Sequence, residues 1–210
     1  MSLEKKLLAL SFDDGPDNEL TSLVLDKLEK HHVPASFFLI GQLVNDSTKK
    51  TLQRMIALSC ELNNHSWAWD SMNRMAANEI KKSINDTSDT IKKITGKTPL
   101  FFRAPNLAVS DVLYENVDLP FIGGVLAKDW TDCNTSAEER AKNVLSSVRD
   151  GAIILLHDVQ QKPHPTPEAL DIIIPELKKQ GYEFVTIGEL FKQKRIIPAL
   201  HESKIWTFVE

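Results

Sequence analysis

Short apolar runs, each closed by a polar or Gly/Pro corner and followed by an amphipathic stretch, recur along the whole chain. This alternation constrains the fold more than any other feature. Leu7–Phe12 reads as a strand ending in Asp13-Asp14-Gly15-Pro16, and Leu20, Leu23, Val24, Leu25 and Leu28 then mark a helix face. The same pairing of run and helix continues with Ala35–Ile40 and Ser47–Ser59, then Leu62–His65 and Asn78–Ile94, the latter stopped by Gly96. It resumes with Leu100–Arg103 and Ser110–Asn116, then Phe121–Lys128 around Gly123-Gly124. Ser136–Val148 follows, opened by a Ser136/Glu139 capping box. Ala152–Leu156 is apolar without interruption, as a strand covered on both faces must be. Pro167–Gln180 reads as a helix kinked by Pro175, Tyr182–Thr186 as a last strand and Gly188–Lys194 as a last helix. Seven or eight strands alternating with helices predict an α/β fold, either a doubly wound sheet or a (β/α) barrel. The strand count, without a Gly-rich phosphate fingerprint, favours an irregular (β/α) barrel.

Length and composition narrow the partners. At 210 residues the chain is expected to be a single domain over 1–210, with 195–210 as an irregular C-terminal tail. A hydrophobic fraction of 42% supports a core, and a net charge of −4 with mixed signs argues against nucleic acid. No apolar run approaches the roughly 18 residues of a membrane span, so no membrane partner is expected. Cys60 and Cys133 cannot form a disulfide scaffold or a thiolate zinc module, and no spacing argument supports pairing them. Leu7–Leu10 is too short for a signal-peptide core. The protein is then cytoplasmic if Met1 is the native start, or has lost a leader.

Chemistry gathers at the strand ends. Asp13-Asp14 follows the first strand, His65 the third, Arg103 the fourth, Asp129 the middle strands and His157-Asp158 the Ala152–Leu156 run. Each alone reads more readily as turn chemistry or a solvated charge. In a parallel barrel all of them open onto one rim, where such folds carry their sites. Adjacent carboxylates at the end of a buried strand repel and diverge, so one can bind a metal while the other serves as base. A carboxylate beside His65 suits a divalent cation. His157, held by Asp129, supplies an acid.

The stretches Ser11–Pro16, His65-Ser66-Trp67, Arg103-Ala104-Pro105, Asp129-Trp130 and Leu155–Asp158, in that order, resemble the motifs of the polysaccharide deacetylases, the NodB-like esterases of carbohydrate esterase family 4. The resemblance runs from about Leu7 to Phe191. Through Asp150–Asp158 and His164–Leu170 the chain looks most like clostridial acetylxylan esterase modules. It implies one divalent ion (zinc, cobalt or manganese) on Asp14 and His65, with Asp13 as base toward the attacking water. Arg103 would orient Asp13, Asn106 would lend a backbone N–H to the oxyanion, and His157 tuned by Asp129 would protonate the leaving group. Trp130 and Leu155 would wall the acetyl slot. The implied partner is an acetylated polysaccharide or oligosaccharide, met outside the cell by a monomeric, secreted enzyme.

The chain also departs from the family pattern. Trp69 stands where a second metal-binding histidine is usual, with Asp70 as a conceivable substitute. Asn106 replaces the usual aromatic after the third motif, and Asn63 replaces a common glycine. Trp67 and Trp69 read equally as packing or as a sugar platform. Removal of O-acetyl groups from xylan leads. N-deacetylation of chitin-type or peptidoglycan sugars and a degenerate carbohydrate-binding protein are the competitors.

Overall fold

The computed structural model describes residues 5–130 and 135–210. Parallel strands β1 (Lys6–Asp13), β2 (Ser36–Leu39) and β3 (Glu61–Asn64) pair in the order β3-β2-β1, and β1 pairs on its other side with β6 (Ala152–His157). β5 (Val125–Leu126) adds to β6, and β7 (Tyr182–Phe184) pairs with the start of β1. β4 (Phe121–Ile122) pairs with β8 (Ile205–Trp206).

The ring closes through two irregular joints. The expected strand Leu100–Arg103 is reduced to a bridge at Phe102, which still pairs with Asn64 on one side and Phe121 on the other. The Asn63 side chain explains the shortening. Its Oδ1 accepts the amides of Leu100 and Phe101, groups a longer ladder would have used. The second joint corrects the expected irregular tail. After β8, Ile153 donates its amide to Thr207, Phe208 bridges Ala152, and Val209 is wholly buried. Tail and sheet touch at Gly151, where φ is +79° and a Cβ would lie 2.2 Å from the Val209 carbonyl oxygen, so only glycine permits the joint. The apolar residues of this segment are interleaved with polar ones too briefly to register as a strand. The fold is the irregular α/β barrel expected from the alternation.

Helices cover the outside because their apolar faces have nowhere else to go. α1 (Leu20–His31) and α6 (Thr166–Lys179) bury Val24, Leu25, Leu28, Ile173, Ile174 and Leu177 against the outward residues Leu8, Leu10 and Phe12 of β1. α2 (Lys49–Ala57), α3 (Ala77–Thr95), α4 (Asp111–Asn116) and α5 (Ala137–Leu145) complete the coat. α3 buries Ile80, Ile84, Thr87 and Ile91 in one stripe and ends at left-handed Gly96. α5 starts on the Ser136/Glu139 capping box. α7 (Ile187–Lys194) packs Ile187, Leu190 and Phe191 with the inward Leu7, Ala9, Ile153 and Val209, plugging the barrel at the N-terminal ends of its strands. The opposite, C-terminal end stays open for chemistry. Cys60 is buried as a small hydrophobe, its thiol pushed up to about 12 by desolvation. Cys133 lies outside the described residues.

Candidate active site

The barrel interior turns polar toward its C-terminal end. Above Phe38 lies Arg103, only 1% exposed, its guanidinium 4.0 Å from the ring centroid. A buried cation must be saturated with acceptors. Nη1 donates to Asp13 Oδ1 at 2.6 Å, Nη2 to Ser11 Oγ at 2.8 Å and to the Gly123 carbonyl at 2.6 Å, and Nε to the Ile122 carbonyl at 3.2 Å. One carboxylate oxygen of Asp13 is thereby occupied, and Oδ2 faces the open end.

Around that oxygen the rim converges. His65 Nε2 lies 3.8 Å from Asp13 Oδ2 and 3.6 Å from Asp14 Oδ1. The other ring nitrogen of His65, Nδ1, is 2.8 Å from the Arg103 carbonyl oxygen. A carbonyl can only accept, so Nδ1 carries a proton and Nε2 is the nitrogen turned toward the carboxylates. Asp14 adopts a left-handed backbone, φ +79°, which turns its side chain away from that of Asp13. Burial raises the Asp14 carboxyl above its ordinary value and Asp13 adds to the rise; the two histidines oppose it, as does a hydrogen bond from the Trp69 indole.

His157 forms the facing wall. Its Nδ1 is 3.0 Å from Asp129 Oδ1, and its backbone amide donates to Oδ2 of the same carboxylate at 2.7 Å. Burial opposes charging the imidazole. The Asp129 carboxylate, helped by Asp13 and Asp14, nonetheless lifts it to about 9. With Nδ1 engaged, Nε2 is the nitrogen left for a substrate. Asp13, Asp14, His65, Trp69, Asn106, Trp130, Leu155 and His157 line one cavity of about 220 Å³, together with Leu107 and Leu126. Asn106 is left-handed at φ 57°, in a short turn whose bonds use the amides of Leu107 and Ala108.

Two expectations are corrected. Trp67 does not reach this cavity. Its ring packs beside Gly41, and it lines a separate depression with Ser66, Met75 and Ser83. Asp70 lines that same depression and takes no position beside Asp14. Asp158, named in the sequence with His157 but given no role there, is a wholly buried carboxyl that accepts from Thr21 and is raised to about 7 by desolvation. A Cβ on Gly15 would come within 2.3 Å of it, so the Asp13-Asp14 corner rests on this carboxyl.

The donor chemistry fits a divalent cation. Hard carboxylate oxygens and an imidazole nitrogen share one buried pocket, and the imidazole is oriented by a main-chain carbonyl. Among the described residues no set of three such side chains forms a cage, so solvent or substrate would complete the coordination.

A parallel barrel with carboxylates and imidazoles gathered at its C-terminal rim places the chain among the α/β barrels whose rim carries groups suited to acid–base and metal chemistry. Residues 1–119 match the family model described as polysaccharide deacetylase, and the chain belongs to that family, carbohydrate esterase family 4. It is 48% identical over 206 residues to a bifunctional xylanase/deacetylase of Pseudobutyrivibrio xylanivorans, covering 98% of this chain and 34% of that one. It is 35% identical over 192 residues to the peptidoglycan-N-acetylmuramic acid deacetylase PdaC of Bacillus subtilis, covering 91% of this chain and 40% of that one. The chain thus spans about a third to two fifths of these curated relatives. Among solved structures it resembles a family 4 acetyl xylan esterase from Clostridium thermocellum in complex with a cobalt ion. The TM-score is 0.93 and the identity 55%, over 97% of this chain and 99% of that one.

Proposed function

We propose that this protein removes O-acetyl groups from xylan or its oligosaccharides outside the cell, using one divalent metal ion. The observation that carries the reading is the convergence of Asp13 Oδ2, Asp14 Oδ1 and His65 Nε2 within 4 Å on one cavity wall, opposite the Asp129-backed His157. Asp14 and His65 would hold the ion. When bound, it supplies Lewis-acid polarisation at the reacting oxygens.

The chain's own groups carry the remaining work. Asp13, one oxygen fixed by Arg103, takes the proton of the attacking water at Oδ2. The Asn106 amide stabilises the developing oxyanion. His157, charged at neutral pH, gives its proton from Nε2 to the departing sugar oxygen. Trp130 and Leu155 confine the acetyl methyl, while Trp69 borders the cavity and is 45% exposed to an incoming chain. The higher identity to proteins named for xylan than to the peptidoglycan deacetylase supports an ester as the preferred bond. The degenerate, binding-only alternative is disfavoured by the joint presence of a base, an acid and cation-binding donors in one cavity.

The test is acetate release from acetylxylan and from N-acetylglucosamine oligomers, after chelation and re-addition of Zn²⁺, Co²⁺ or Mn²⁺. Metal-dependent turnover of acetylxylan is expected. Turnover of the amides alone would reassign the substrate, and inactivity on both would return the protein to a binding role.

A further inference from the structure

Arg140 lies in α5, outside every motif that drew attention in the sequence, yet it is completely buried. Nε donates to the Thr135 carbonyl at 2.9 Å. Nη1 donates both to Gln160 Oε1 at 2.7 Å and to Thr166 Oγ1 at 2.8 Å. Each of the latter two partners reaches Asp129. Gln160 Nε2 donates to the Asp129 carbonyl at 2.8 Å, and Thr166 Oγ1 lies 3.4 Å from Asp129 Oδ2. That carboxylate is the one that grips His157 at both its ring and its amide.

The polarity of this arrangement follows from one property of arginine: it has donors and no acceptor. By occupying Gln160 Oε1 it turns the amide so that the NH₂ points at the Asp129 carbonyl. By donating to Thr166 Oγ1 it leaves that hydroxyl only its own hydrogen to give, and the acceptor within reach is Asp129 Oδ2. We propose that Arg140 is a positioning residue, which through Gln160 and Thr166 fixes Asp129 as an acceptor and so holds His157 with Nε2 toward the cavity. The proposal rests on the roles given above to Asp129 and His157. The charged or titratable groups facing the pair are Asp13 and Asp14 across the cavity, Arg140, and His164, whose ring burial and Arg140 hold below its ordinary value.

The experiment compares the wild type with Arg140→Met and Thr166→Val, reading the His157 ring by NMR titration and acetylxylan turnover by steady-state kinetics. Loss of an orienting contact of this kind costs about 10–100-fold in activity. The expected result for both variants is a fall in kcat of at least about tenfold, with KM little changed, and for Thr166→Val, which removes no charge, a His157 titration displaced toward neutral pH. Lysine has one nitrogen and cannot keep the Thr135 contact while reaching Gln160 and Thr166, so Arg140→Lys should not rescue. If Arg140→Met does not fold, Thr166→Val decides on the same readouts. A shifted titration with unchanged kcat keeps the positioning network and removes His157 from the acid role. An unshifted titration in folded Thr166→Val, with only the melting temperature lowered, overturns the proposal.

Discussion

The carbonyl oxygen of Arg103 lies 2.8 Å from Nδ1 of His65. The guanidinium of the same residue holds Asp13 at 2.6 Å. One residue therefore sets both the imidazole tautomer offered to a cation and the orientation of the base, the first through main chain and the second through side chain. Arg103→Met would leave the tautomer bond in place and strand a buried carboxylate. Breaking such a pair costs about 3–5 kcal/mol, measurable by urea unfolding. The double variant Asp13→Asn/Arg103→Met should recover part of that loss while remaining inactive. A single variant as stable as wild type would show that the pair contributes nothing to the fold.

His157 gives a pH signature. Its folded value of about 9 lies above the ordinary 6.5. The charged imidazole therefore stabilises the fold fully below about pH 6.5, and the contribution is lost as pH rises through about 9. In metal-free protein the NMR titration of His157 should centre near 9. Adding a divalent cation should lower it, because a positive charge beside Asp14 opposes a second one on the ring. Asp129→Asn should lower it further and cut kcat by about 10²–10⁴-fold, the span of general-acid catalysis. A titration that ignores both changes would remove Asp129 and the cation from His157's surroundings.

The barrel and the rim were legible because they rest on local signals. Apolar runs make strands, and chemistry at run ends makes a rim. What escaped depends on contacts distant in sequence. β8 could not be read from Ile205-Trp206 alone, since its pairing is made by β4 and the tail's seat is made by Gly151. The direction of Trp67 follows from loop geometry that has no period. Arg140, in an otherwise ordinary amphipathic helix, looks like a solvated charge until Gln160 and Thr166 are brought against it.

Asp171 ties α6 to α1 by accepting Lys27 at 2.6 Å and Lys30 and His31 at 2.7 Å each. Burial works against its charge, but these hydrogen bonds hold the carboxyl far below the usual carboxylate range. The clasp therefore stabilises the fold above about pH 4 and is lost as pH falls through the depressed native value. Because its cations are partly solvated, Asp171→Asn should cost only about 1 kcal/mol at neutral pH and low salt. The difference should shrink in high salt and in strong acid. Equal melting temperatures for wild type and variant at low salt would mean that the helices are held by their apolar faces alone.

Trp69 is the position where this chain can be tuned. Its indole shares the cavity wall with Asp14 and favours the ionised carboxylate, but an indole N–H gives a cation no electron pair. Trp69→His would exchange that donor for an imidazole able to ligate. Each additional 1.4 kcal/mol of binding is a factor of ten, so Zn²⁺ affinity measured by calorimetry should rise by about tenfold or more. The change also removes an aromatic face at the cavity mouth, so KM for acetylxylan oligomers should rise while that for a small acetyl ester is little altered. Unchanged Zn²⁺ affinity would place residue 69 out of reach of the ion, and Trp69 would then act on the carbohydrate alone.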